Sequence, residues 1–398
     1  MAKAERKCET CEVLVLNAIA QVGLKRLPAE RYRIVKESKS PDAILVRSQE
    51  MHGMKFGESL KAVGRAGAGV NNIPVPELSR MGVPVFNAPG ANANAVKELV
   101  VAGMLLAARN IVPAIEFVRN LDAKDMKKKV EDGKKTYAGE ELPGHTLGVI
   151  GLGKVGSLVA DAAIRLGMNV LGYDPHITVE AAWSLPSQVR KANSVDELLR
   201  ASDFVSLHVP LVEKTRDLIN AKNVGHMKEG AVLLNFSREG IVDDAAVLKS
   251  LGDRHLRWYV TDFPSAKLIG KPGVVALPHL GASTREAEDN SAVMVIDQVR
   301  EYLENGSLQN AVNFPDAIMP RESPYRLAIA NANVPNMLAR ISNAMGSRKI
   351  NIHNMLNKSK GEMAYTLVDV DSPVPQAAID ELCEIEGVLK VRYLPVAV

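Results

Sequence analysis

Residues 146–156, "TLGVIGLGKVG", set Gly151, Gly153 and Gly156 in GxGxxG spacing behind an apolar run and ahead of the helical pattern "SLVADAAIRLG". The first glycine permits a tight turn, the second lets backbone approach a pyrophosphate, and the third lets the helix pack on the strand. The helix N-terminus then faces the negative charge. Asp174 closes the next apolar run, "NVLGYDP", 18 residues after Gly156. A carboxylate there can bind the hydroxyls of an adenosine ribose and repels a 2′-phosphate, so the pair points to NAD rather than NADP.

Two further side chains follow apolar runs. Arg238, in "LLNFSREGIVDDAAV", is a cation able to grip a substrate carboxylate bidentately and polarise a neighbouring carbonyl; it equally fits a surface arginine capping a sheet. His279, in "VTDFPSAKLIGKPGVVALPHLGAST", can accept the hydroxyl proton of a 2-hydroxy acid as the carbon loses hydride; the competing reading is a structural histidine in a Pro-His turn. A catalytic imidazole is usually held by a carboxylate. This stretch offers only Asp262 before the histidine, with Lys267 where an acid is expected.

The elements that must position these groups read as α/β. Short runs rich in Val, Leu and Ile alternate with helical patterns, which implies a mainly parallel sheet. "EVLVLNAI", "AILVRS", "AVGRAGAG" and "VPVFNAP" read as strands, followed by a long helix in "NANAVKELVVAGMLLAARNI". From about residue 145 six buried-type strands, "TLGVIG", "NVLGYDP", "FVSLHVP", "AVLLNFS", "RWYVTDF" and "GVVALPH", are enough for a doubly wound sheet. A second long helix, "REAEDNSAVMVIDQVREYLENG", leads out of that unit, so the first domain is expected to be discontinuous. The boundaries predicted are 1–93 with 283–311 for the outer domain, 94–282 for the inserted one, a proline-rich linker at 312–324, and a βαββαβ module over 325–398.

Composition narrows the function classes. With 398 residues, 46% hydrophobic content and a formal charge of +3, the chain is ordinary globular material with no long arginine-rich block, which argues against a nucleic-acid partner. Lys127, Lys128, Lys129, Lys134 and Lys135 are interrupted by acids and read as a solvated face, or alternatively as phosphate steering. Three cysteines suggest a reducing compartment; Cys8 and Cys11 form one CxxC without a second pair, so no metal is expected. No segment approaches the length of a membrane span and no cleavage site stands out, so a cytoplasmic protein is expected.

The order GxGxxG, Asp, Asn-Phe-Ser-Arg, Pro-His-Leu-Gly-Ala-Ser-Thr resembles the D-isomer-specific 2-hydroxyacid dehydrogenases, and the C-terminal module resembles an ACT domain. The match runs from about Val13 to the end, and "LPHLGAST" and "GRAGAGVNNI" are its most specific motifs. The resemblance implies a doubly wound Rossmann NAD domain inserted in a flavodoxin-like substrate domain, followed by a ferredoxin-like ACT domain. It implies Arg238 and His279 as catalytic residues, the latter as acid/base. Arg47, Ser48 and Asn92 become substrate contacts, with the backbone of Ala68 and Gly69 holding the substrate carboxylate. Lys154, Val155, Phe236 and Ser237 join the glycines and Asp174 around the cofactor, and Asp262 is assigned to the nicotinamide carboxamide.

The implied reaction is NAD-dependent oxidation of 3-phospho-D-glycerate to 3-phosphohydroxypyruvate, the first step of L-serine synthesis, by a homo-oligomer. L-serine is the expected effector through Asn331, Asn333 and Asn351. Departures from the pattern are specific. The family's glutamate partner of the histidine falls at Ala266 or Lys267, Glu239 replaces a glycine after Arg238, Asn336 stands at a usual glycine, and Asn331 where some members carry histidine. His279 is therefore expected to lack a direct carboxylate from its own loop, or to borrow Asp262 or Glu239 through space. Two alternatives remain: a reductase for another 2-keto acid such as glyoxylate or hydroxypyruvate, and a catalytically weak NAD-sensing protein.

Overall fold

A computed structural model describes residues 3–6, 10–122 and 125–396. Cys8 lies outside the described residues, and Cys11 is buried. The chain divides into two compact units, Met1–Ala91 with Glu288–Val398, and Asn92–Ala287.

In the first unit β1 (Lys3–Arg6) belongs to the C-terminal sheet. Next in the chain, β2 (Cys11–Val15), β3 (Tyr32–Val35), β4 (Ala43–Val46), β5 (Ala62–Arg65) and β6 (Val85–Phe86) form a sheet of order β3-β2-β4-β5-β6 with every pair parallel. That is the flavodoxin-like order. Strand β4 is buried along its whole length, as its unbroken Ala-Ile-Leu-Val run requires. The helix Arg285–Asn305 packs closely on the sheet: a Cβ on Gly64 would meet Val299 at 2.9 Å and Val295 at 3.0 Å. Strand β3 was not anticipated from sequence. It is an edge strand whose Arg33 and Ile34 are exposed, so its apolar signal is weak.

The second unit holds β7 (Thr146–Ile150), β8 (Asn169–Tyr173), β9 (Arg190–Lys191), β10 (Phe204–Leu207), β11 (Ala231–Asn235), β12 (Leu256–Thr261) and β13 (Val274–Ala276). Their order, β13-β12-β11-β10-β7-β8-β9, is the doubly wound arrangement, with every pair parallel and the strand order reversing beside β7. The first long helix of this unit is broken: Ala93–Ala108 and Ile111–Arg119 meet at Asn110, whose φ of 49° and bond from Trp258 Nε1 at 3.1 Å fix the bend. Among the described residues no single helix is long and apolar enough to cross a membrane. The lysines of 127–135 are exposed, as a solvated face requires.

Back in the first unit, β14 (Tyr325–Ala332), helix Met337–Gly346, β15 (Ile352–Lys360), β16 (Met363–Val370), helix Gln376–Glu384 and β17 (Val388–Pro395) form the βαββαβ module. Its sheet order is β1-β17-β14-β16-β15. The core pairs β14·β16, β14·β17 and β15·β16 are antiparallel, which makes the module ferredoxin-like, and β1 adds a parallel strand along β17.

Residues 312–324, expected as a linker, are instead part of the core. Phe314 and Ala317 are fully buried, Met319 nearly so, and Leu308 and Ala317 exchange backbone bonds at 2.8 Å. The three prolines gave a loop signal, but alternate apolar residues anchor the segment. Arg326 reinforces it: the guanidinium is fully buried, pairs with Asp369 at 2.6 and 2.8 Å, and donates to the carbonyls of Met319 and Pro320, each at 2.9 Å.

Candidate active site

In each parallel sheet the candidate residues sit at the carboxyl ends of strands, where open α/β sheets bind ligands. Within the second unit these ends carry the glycine turn after β7, Asp174 after β8, Arg238 after β11, Asp262 after β12 and His279 after β13. The sheet therefore gathers residues separated by more than a hundred positions onto one edge.

The glycine turn is built as its spacing requires. Gly151 adopts a φ of +92°, where a Cβ would also strike the His208 carbonyl oxygen at 2.5 Å. A Cβ on Gly156 would lie 1.9 Å from the Gly151 oxygen, whereas one on Gly153 would meet nothing within 4 Å. The open face is thus at Gly153, the N-cap of helix Lys154–Arg165, whose first amides have no side-chain cap. Lys154 is exposed and Val155 half-buried on the first turn. Asp174 accepts from the Leu152 and His176 amides, both at 2.9 Å, which ties the end of β8 to the glycine turn and leaves carboxylate lone pairs for a diol. These residues fit a dinucleotide.

Arg238 is exposed. Its turn is fixed by Asn235, whose side chain bonds both the Ser237 amide (3.1 Å) and the Arg238 carbonyl (3.0 Å). Ser237 Oγ donates to the Val209 carbonyl at 2.7 Å, and Phe236 is buried beneath. The Arg238 guanidinium donates to the preceding carbonyl at 2.7 Å. His208, after β10, has its Nε2 against Ser206 Oγ at 2.8 Å, and burial pushes its imidazole down to about 3; this histidine is neutral and structural.

His279 is exposed and adopts a φ of +57°, a conformation non-glycine residues rarely hold. Asp262 holds it there. The Asp262 side chain is 1% exposed, and its two oxygens accept from the Leu280 and Gly281 amides, each at 2.7 Å, while its carbonyl accepts from the His279 amide at 3.1 Å. The imidazole itself packs on Phe263, with ring centroids 4.9 Å apart. Among the described residues no carboxylate lies within ion-pair distance of the ring. Neither Asp262 nor Glu239 is therefore borrowed: the first is buried against backbone donors, and the second is exposed and makes no ion pair with the ring among the described residues. The carboxamide assignment of Asp262 meets an obstacle in burial rather than in lone pairs: like Asp174 it accepts one amide on each oxygen, but it is only 1% exposed, where Asp174 is half-buried.

In the first unit, Arg47 and Ser48 follow β4. The Arg47 amide donates to Asn17 Oδ1 at 2.8 Å and its carbonyl accepts from Arg65 Nε at 3.0 Å, while Asn17 Nδ2 reaches Ser48 Oγ at 2.9 Å. The Arg47 guanidinium pairs with Glu288 at 2.7 Å. Ala68 and Gly69 lie in the half-buried turn after β5, held by Asn87 Nδ2 on the Ala68 carbonyl at 2.5 Å. Sequence reasoning missed Asn17, Arg65 and Glu288. Arg65 had a signal, as the cation opening "RAGAGV"; the other two had none. Asn92 begins the second unit, at the N-cap of helix Ala93–Ala108.

The three asparagines of the C-terminal module are not together. Asn331 and Asn333 line one cavity of about 180 Å³ with Asn336 and Asn357. Asn331 is buried and linked through Thr366 (3.4 Å) to Asn357, and Asn333 donates to the Gly361 carbonyl at 3.0 Å. Asn351 instead bonds Asp371 at 2.6 Å beside the Ile352↔Val370 pair, at the other end of β14. An antiparallel sheet puts residues 331 and 351 at opposite ends, so within one chain they cannot share a ligand. Among the described residues no cluster of metal-ligating side chains occurs.

Comparison with known proteins agrees with this architecture. Residues 101–281 match the family described as "D-isomer specific 2-hydroxyacid dehydrogenase, NAD binding domain". The chain is 36% identical over 308 residues to a D-3-phosphoglycerate dehydrogenase of Methanocaldococcus jannaschii, covering 74% of this chain and 56% of that protein. It is 32% identical over 348 residues to the one of Haemophilus influenzae (84% and 81%), and 29% identical to the one of Escherichia coli over 99% of this chain and all of that protein. The chain spans only about half the length of several such relatives, 56% for Synechocystis and 52% for Bacillus subtilis. Among solved structures, the NAD+-bound 3-phosphoglycerate dehydrogenase of Entamoeba histolytica matches 76% of this chain and 98% of its own, at a TM-score of 0.59 and 25% identity.

Proposed function

Because this chain belongs to the D-isomer-specific 2-hydroxyacid dehydrogenases and carries their NAD-binding domain, we propose that it oxidises 3-phospho-D-glycerate to 3-phosphohydroxypyruvate, the first step of L-serine synthesis. The observation that carries the substrate choice is the cationic end of the outer sheet, where Arg47 and Arg65 are joined through the Arg47 carbonyl beside the Ala68–Gly69 turn. A substrate with a carboxylate at one end and a phosphate at the other suits two cations and a turn of free amides. Relatives named D-3-phosphoglycerate dehydrogenase support the same choice.

When bound, NAD supplies the hydride acceptor. The remaining work falls to side chains. Arg238 grips the carboxylate and polarises the carbonyl as it forms, His279 Nε2 or Nδ1 takes the hydroxyl proton, and Arg47 with Ser48 holds the phosphate. The amides around Ala68 and Gly69 bind the carboxylate, and Asn92 supplies a polar contact. Gly151, Gly153, Lys154, Val155, Gly156 and Asp174 hold the dinucleotide, with Phe236 and Ser237 flanking it. We further assign Asn331 and Asn333 to an L-serine site, Asn351 joining it only from a second copy, and read the protein as a cytoplasmic homo-oligomer.

One observation favours a second reading: the missing carboxylate partner of His279 suits a weakly catalytic NAD sensor. NADH formation from phosphoglycerate by the full chain separates the two. Loss of a positioned base costs on the order of 10²–10⁴ in rate, so turnover that falls by that much in His279→Ala is expected. No turnover with any 2-hydroxy acid, together with tight NADH binding, would favour the sensor.

A further inference from the structure

We propose that Glu288 is a specificity-determining residue that stands in for the substrate's phosphate on Arg47 and surrenders the guanidinium only to a dianion. The inference rests on the phosphoglycerate reading and deepens it. The main chain of Arg47 is fixed at both its amide and its carbonyl, by Asn17 and Arg65. Its guanidinium, by contrast, makes one ion pair among the described residues, Nη2 to Glu288 Oε1 at 2.7 Å, with the side chains 33% and 42% exposed. A fixed stem with an exchangeable head group suits a site that changes partners.

Release of Glu288 is cheap. It lies in the first turns of helix Arg285–Asn305, where the positive end of the helix dipole and open water both stabilise a carboxylate without its arginine. A phosphate monoester brings a charge of about −1.5 to −2 and three acceptor oxygens, against one charge from the carboxylate. It therefore wins the guanidinium, whose planar fork can engage two of those oxygens at once. A substrate ending in a hydroxyl offers no such exchange and leaves the Arg47–Glu288 pair intact. Glu288 thus weakens every anion's hold on Arg47 and raises the charge needed to occupy it.

The sign of the effect separates this from a role in merely orienting Arg47. An exposed ion pair contributes about 0.2–1 kcal/mol, equivalent to roughly a 1.4- to fivefold change in affinity. Glu288→Gln should therefore bind phosphoglycerate and inorganic phosphate more tightly at low salt, by about 1.4- to fivefold, with the gain shrinking as ionic strength rises. Binding of unphosphorylated D-glycerate should not change. Calorimetric titration of the full chain tests this, with Arg47→Met and the double variant closing a cycle. A gain that disappears when Arg47 is also replaced supports the proposal. Equal or weaker binding by Glu288→Gln, or a gain that persists without Arg47, overturns it. Failure of the phosphoglycerate reading is seen separately, as absence of NADH formation by the unaltered protein, and leaves the phosphate titration informative.

Discussion

Asp262→Asn is the substitution that most directly tests how His279 is held. The carboxylate is 1% exposed and receives two amide donors at 2.7 Å, so its negative charge is matched by Leu280 and Gly281 N–H groups rather than by imidazole. An asparagine amide fits the same volume but offers one acceptor and one donor. One amide keeps a neutral bond and the other faces an N–H. Losing a charge-assisted bond costs about 1.5–3 kcal/mol and orphaning a buried donor about 1–3 kcal/mol, which are not additive for adjacent groups; about 2–4 kcal/mol is a reasonable range. That free energy opposes the left-handed conformation at His279, so the 279–281 turn should open locally before the unit unfolds. Hydrogen exchange reads this site by site: at 1.4 kcal/mol per factor of ten, the Leu280 and Gly281 amides should exchange about 30- to 1,000-fold faster, and kcat should fall with them. If both amides keep their protection while kcat falls, Asp262 acts on the imidazole and not on the turn. If neither changes, the clamp has no functional consequence and the reasoning fails.

Two further outcomes follow from the same structure. His208 is neutral in the fold with a pKa near 3, whereas in the unfolded chain it titrates near 6.5; below about 6.5 the unfolded state binds the extra proton, so stability falls as pH drops from about 6.5 toward 3 and is flat above. His208→Asn should flatten that part of the urea-unfolding profile, and an unchanged slope would refute the assignment. For the cavity around Asn331 and Asn333, titration with L-serine should raise the thermal midpoint and lower activity, and Asn333→Ala should remove both effects. A titration that leaves activity and midpoint unchanged removes serine as the effector.

What could be read from sequence was what is local. The glycine turn, its helix and Asp174 are specified within 29 residues; Gly151 and Gly156 meet steric needs visible in their spacing, and Gly153 leaves the turn open. Strand ends followed by Arg238 and His279 were legible because buried parallel strands are continuous apolar runs. Partners supplied from elsewhere in the chain were not. Asn17 meets Arg47 and Ser48 across 30 and 31 residues, and Asp262 reaches Leu280 across 18. An acid at position 262 looks the same in sequence whether it faces an imidazole or two amides. The edge strands β1, β3 and β9 escaped for another reason: short and rich in charged residues, they give no hydrophobic period. The segment 312–324 escaped because proline signals a turn without indicating whether the turn is packed.

That packed segment alters how the outer domain and the C-terminal module relate. Three buried cations, Arg326, Arg392 and Lys390, and the half-buried Arg321 join them. Arg326 donates to the Asn305 carbonyl at 3.2 Å, Arg392 to those of Tyr302 and Leu303 at 2.9 and 3.0 Å, and Lys390 to that of Leu60 at 2.6 Å. Arg321 adds a bond to the Leu394 carbonyl at 2.9 Å. The first two close the C-terminal end of helix Arg285–Asn305, where orphan carbonyls and the negative dipole end favour cations. Arg392 also stacks on the Tyr302 ring at 4.5 Å. The other end of that helix carries Glu288. At 1.5 Å per residue, its 21 residues span about 31 Å, and they link the C-terminal sheet to the guanidinium proposed to receive phosphate. A rigid helix held by buried cations at one end cannot tilt without moving Glu288 at the other.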